Sequence, residues 1–262
     1  MTSTEPPARF GDLIASEWIK LRSLRSVLWT PLLVGLFVLG TAATAALADR
    51  DNPRVETEYL PFDAFPPTGW VTLMLAAGSI GAVTSVGEYS SGLIRTTTVA
   101  VPARASVVLA KAVVAGALWT ALGAVLSVAS FFLSQALLGS HGTSITHPGV
   151  LRGLLACTLV GPVCALVGLG LGVLIRHSAT TMVVTTFTLL MLPMFFSTRR
   201  QWSADVNGMM TTSAWRRLVQ TWEPGIQDGI SPATVAGSWA AYALWPLLLT
   251  ALAVLLVRRR DV

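Results

Sequence analysis

Read as apolar and polar positions, the chain is a series of long uncharged runs parted by polar breaks. Residues 28–48, 69–87, 112–138, 152–175, 178–196 and 239–257 are each apolar. At a rise of about 1.5 Å per residue, each can cross roughly 30 Å of hydrocarbon. The pattern predicts an all-α polytopic membrane protein with six spans. Ahead of the first span the periodicity changes. In residues 9–28, a projection of about 100° per residue gathers Phe10, Leu13, Ile14, Trp18, Leu21, Leu24 and Leu28 into one arc. That arc is roughly 140° wide. Arg9, Asp12, Ser16, Lys20, Arg22 and Ser23 fall outside it, whereas Glu17 and Arg25 intrude on the apolar side and Ile19 faces away. This predicts an amphipathic helix lying on the membrane surface. The expected division is a segment 1–27 carrying that helix, a six-span domain 28–257 and a tail 258–262.

The polar breaks differ in character. Residues 49–68 set Asp49, Asp51, Glu56, Glu58 and Asp63 against Arg50 and Arg54, among several prolines, which reads as an irregular acidic loop. Ala46-Leu47-Ala48 imitates a signal-peptide cleavage site, but the preceding apolar run is too long for one. The longest break, residues 197–238, carries Arg199, Arg200, Arg216 and Arg217 with Trp202, Trp215 and Trp222. Arginine and tryptophan together favour the headgroup region, so half-inserted or surface-lying helices are expected there. Residues 88–111 form a polar island with Glu88, Arg95, Arg104 and Lys111. On the same side, the break between the fourth and fifth spans is only Arg176-His177. Within the spans, Gly78 with Ala82 and Gly81 with Ser85 have the small-xxx-small spacing that lets helices approach closely, and Gly168, Gly170 and Gly172 thin another face.

Composition agrees: 53% of the 262 residues are hydrophobic and 12% charged, against about 25% charged in soluble domains. The net charge of +5 does not indicate nucleic acid, because the arginines sit in clusters beside apolar runs rather than on one basic face. They act better as topology signals. With the N-terminus inside, Arg9, Lys20, Arg22, Arg25, Arg95, Arg104, Lys111, Arg176 and Arg258 to Arg260 are inner, eleven of the 18 basic residues. Four of the outer ones lie in the single long loop, so the short-loop bias predicts both termini in the cytoplasm. Catalytic patterns are missing. The two lysines follow Ile19 and Ala110, so no Gly-Lys-Ser/Thr phosphate loop exists. There is no His-Glu-x-x-His and no Gly-x-Ser-x-Gly elbow. Cys157 and Cys164 stand about 10 Å apart along a helix, too far to bridge. His141 and His147 have no third ligand nearby, so no metal is expected. The middles of the spans lack charge, which argues against ion-coupled carriers.

The run Glu88-Tyr89-x-x-Gly92-x-x-Arg95, followed by Pro102-x-Arg104 and Lys111, resembles the first cytoplasmic loop of the type 2 ATP-binding-cassette (ABC-2) export permeases. Ser16-Glu17-Trp18-x-Lys20-Leu21-Arg22-Ser23 is similar to the opening helix of that family, and Arg258-Arg259-Arg260-Asp261 to its ending. The resemblance implies a cell-membrane permease subunit of an exporter, one half of a dimeric pathway, whose loop forms a coupling helix against a separate ATPase. ATP and Mg would then be held by that partner, with no cofactor on this chain. The implied coupling residues are Glu88, Tyr89, Gly92, Arg95, Pro102, Arg104 and Lys111. Glu88 would end the second span, Gly92 would turn the chain, Arg95 and Arg104 would meet carboxylates of the ATPase, and Lys111 would anchor the third span at the headgroups. Implied partners are the ATPase, a second permease subunit, identical or not, and the lipid bilayer, with no nucleic acid. Two other classes share the span pattern. A membrane-embedded enzyme would need carboxylates or histidines converging at one interface, and only Glu88 stands at an inner span end. An immunity or sensor protein would need no docking loop. The residues do not name the transported substrate.

Overall fold

The computed structural model describes residues 9–23, 25–50, 60–90, 104–196, 199–223, 225 and 231–259, with side chains at 25–28, 60, 88–90 and 104 excepted. Among the described residues the fold is all-α, without a strand. Helix α1 (Phe10–Ser23) is followed after one residue by α2 (Arg25–Asp49). A short 3-10 turn, Leu60–Ala64, leads to α3 (Pro67–Ser90), and then come α4 (Arg104–Leu138) and α5 (Val150–Ile175). Helix α6 (Ser178–Thr186) runs on as a π turn, Phe187–Met191, and a 3-10 turn, Leu192–Phe195. Two short helices, α7 (Gln201–Gly208) and α8 (Thr211–Val219), precede α9 (Val235–Arg259).

Among the described residues, six segments are long and apolar enough to cross a membrane. The chain is a multi-pass membrane protein. Alternation of direction leaves α1, the 88–111 connection and Arg176-His177 at one end of the bundle. The acidic loop, the loop 139–149 and the α7–α8 pair lie at the far end. The α4 helix begins at Arg104, eight residues before the apolar run that starts at 112. The fifth segment leaves α-helical form at Phe187, where the π turn begins, and tightens to a 3-10 turn at Leu192-Pro193, where proline offers no N–H to the helical ladder.

Helix α5 is the hub and packs against α3, α4 and α9. Its apolar window is 67% buried, against 28% for that of α2. Small residues make this possible. A Cβ on Gly81 would fall 2.0 Å from the Ala165 carbonyl oxygen, and one on Gly168 would fall 1.9 Å from that of Gly78. The α3 and α5 backbones therefore touch, and the Ser85 hydroxyl donates across the seam to the Leu169 carbonyl at 3.2 Å. Around this contact Trp70, Leu73, Met74, Trp119 and Phe131 are fully enclosed.

Candidate functional site

Where α3 and α4 converge on the 88–111 connection, α1 docks on the first turns of α4. Leu13 packs with Val107 and Ala110, and two turns later Leu21 meets Val114. Residue numbers rise together on both helices, so α1 runs alongside α4 in the same direction. Its buried face is Leu13, Glu17 and Leu21, one residue per turn. Phe10, Trp18 and Ile19 stay exposed. The apolar arc of the sequence is thus divided. One edge is consumed by α4 and the other is left outward.

Glu17, the acidic residue that intrudes on the arc, lies in the centre of this contact at 5% exposure. One carboxylate oxygen accepts from Lys111 Nζ at 2.7 Å. The other accepts from Lys20 Nζ, also at 2.7 Å, one turn along α1. Lys111 is 7% exposed, which corrects its expected role as a headgroup anchor. Its ammonium faces inward because Glu17 supplies the opposite charge, and burial of either ion without the other would be costly.

The other expected coupling residues are described only in part. Glu88 and Tyr89 occupy the last turn of α3, and Arg104 opens α4, but their side chains are outside the described set. Gly92, Arg95 and Pro102 lie outside the described residues. Of the seven, Lys111 alone has a described side-chain environment.

At the far end α8 enters the bundle, the inserted of the two placements expected for helices in this segment. Thr211, Thr212, Ala214, Trp215, Arg217, Leu218 and Val219 are all buried, and Arg216 is exposed. The Trp215 indole donates to Cys157 Sγ at 3.4 Å, about two turns inside α5. Thr212 donates to the Leu189 carbonyl at 2.6 Å. Arg152, at the head of α5, donates from Nε to the Leu218 carbonyl at 3.0 Å and from Nη2 to the Gln220 carbonyl. It therefore satisfies carbonyls that the end of α8 leaves open. Arg217 donates to the Ala233 carbonyl at 2.8 Å and pairs with Glu223 at 2.6 Å. The headgroup placement expected for Trp215 is corrected on this point. Its indole has a partner within the bundle, whereas Trp202 on α7 is 60% exposed.

Among the described residues the charged side chains lie toward the two ends of the bundle, and its middle holds hydroxyl contacts such as Ser127 with Thr158 at 3.1 Å. Cys157 and Cys164 are buried and unbridged. A family model described as ABC-2 family transporter protein matches residues 13–192. The matched stretch takes in most of α1, the whole 88–111 connection, the first four spans and most of the fifth. No curated protein matches the chain.

Proposed function

The chain belongs to the ABC-2 transporter family, and we propose that it is the membrane subunit of an exporter in the cell membrane, driven by a separately encoded ATPase. Two such subunits, identical or not, form the pathway. Both termini, α1 and the 88–111 connection face the cytoplasm, where the ATPase docks. ATP and Mg belong to that partner, since this chain has no phosphate loop. The observation that carries the reading is the buried ion pair that binds α1 to the first turns of α4, directly beside the connection whose sequence carries Glu88, Arg95 and Arg104. The other connection at that end, Arg176-His177, is too short to take a partner. Exposed Phe10, Trp18 and Ile19 support α1 resting against the headgroups. At the far end, the inserted α8 is the cap of the exit.

The test uses the subunit co-expressed with its proposed ATPase, sought as a phosphate-loop protein in a neighbouring reading frame. Glu88→Ala and Arg95→Ala are expected to insert normally while complex recovery and permease-stimulated ATPase activity both fall, by about tenfold for loss of a buried charged contact. Normal insertion with full ATPase coupling in both variants would remove the connection as the transmission element. Loss of insertion itself would reduce these charges to topology signals.

A further inference from the structure

The apolar contacts between α1 and α4 do not by themselves fix how the helices align. Leu13 rests on Val107 and Ala110, and Leu21 on Val114 with Leu118 and Ile80 beside it, so the surface that α1 meets is a row of aliphatic side chains alike in kind. A slip of one helical turn would exchange one such contact for another. The ion pair does not tolerate that slip. Glu17 Oε2 and Lys111 Nζ are 2.7 Å apart, and both side chains are 7% exposed. One turn moves them apart by about 5.4 Å and breaks the buried contact between the two helices. A buried ion pair among apolar contacts is the arrangement best attested for setting helix register.

The position of the pair gives this register a use. Lys111 lies two turns into α4, directly after the 88–111 connection, and α4 continues unbroken to Leu138. Glu17 lies in α1, which is joined to α2 through one residue. We propose that Glu17 and Lys111 form a register latch that makes α1 move with α4. A displacement of the connection then reaches the first span through α1 as well as the third span directly. Lys20 holds the second oxygen of Glu17 and keeps the carboxylate turned toward α4. Both residues are positioning residues. The inference rests on the proposed ATPase-driven reading.

The experiment uses the full complex with its ATPase in phosphatidylglycerol and phosphatidylethanolamine nanodiscs, and reads the ATPase rate of the complex over that of the free ATPase. Glu17→Gln keeps the shape of the side chain and removes its charge. It is expected to leave insertion and complex recovery unchanged while stimulation drops by about tenfold. The reversed set, Glu17→Lys with Lys20→Glu and Lys111→Glu, inverts both contacts of position 17 and restores stimulation. So does a disulfide between Leu21→Cys and Val114→Cys in the Glu17→Gln background, since a covalent bond then replaces the ionic one. Full stimulation in Glu17→Gln would overturn the latch. So would loss of stimulation when the same disulfide is closed in otherwise native protein, because the helices would then have to separate during the cycle. A native complex that gives no stimulation at all would overturn the parent reading and the latch with it, and is distinguished by the unmutated control.

Discussion

Glu17 shows what a residue out of pattern can mean. On a helical projection it is an acidic intruder on an apolar face, and Lys111 is a cation at the start of an apolar run; each has a local explanation. Their pairing at 2.7 Å joins positions 94 residues apart in the chain, and no spacing rule reaches that far. Trp215 is the same case at the other end. Tryptophan amid arginines reads as interfacial, yet its indole is fully buried and bonded to Cys157. The available signal was Arg216, the one exposed residue of α8 among buried neighbours. Trp215→Ala should destabilise the protein by about 3–5 kcal/mol, the usual cost of emptying a large aromatic site. Thermal unfolding in detergent measures it. Unchanged stability would show that α8 is not anchored through Trp215. If α8 caps the exit, export falls with it. Full export from a protein whose α8 has demonstrably loosened would rule out the cap.

Among the elements, the spans were legible and their contacts only partly so. Uncharged length is a property of one segment, and the burial of a backbone in hydrocarbon forces it to be helical. Small-residue spacing also pointed correctly to α3 as a close-packing helix, and Gly81 and Gly168 are where it meets α5. What the spacing did not reveal is that α5 is the hub, because glycines thin a helix without naming the neighbour. The start of α4 was hidden for another reason. Its first turns carry Arg104 and Lys111, and the second of these is neutralised by a helix from elsewhere in the chain. A prediction separates contact glycines from bystanders. Gly168→Ala places a Cβ 1.9 Å from a backbone oxygen, so α3 and α5 must part. The cost is expected to reach or exceed about 3 kcal/mol, the upper end for overpacking. Gly116→Ala has nothing within 4 Å and should be neutral. Equal melting temperatures for the two variants would contradict the seam.

For the whole molecule, six apolar segments impose an even number of crossings, which puts α1 and the end of α9 on one side and the α7–α8 pair with the loop 139–149 on the other. Charge gives the expectation for the side: the connections at the α1 end hold Arg95, Arg104, Lys111 and Arg176, and four of the seven basic residues of the far end lie in one long segment. The native cysteines make a direct test clean. Cys157 and Cys164 have no exposed surface, so a membrane-impermeant maleimide applied to intact cells meets a low background. Ser16→Cys lies on the outward face of α1, and Ser144→Cys on the exposed loop at the other end. The reagent is expected to label Ser144→Cys in intact cells and Ser16→Cys only after the membrane is opened. The converse pattern would invert the protein, put the 88–111 connection outside the cell beyond the reach of any ATPase, and overturn the transport mechanism. Labelling of both from outside would mean that one of the three apolar segments between these positions, 29–49, 61–87 or 105–141, fails to cross, since three crossings put Ser16 and Ser144 on opposite sides.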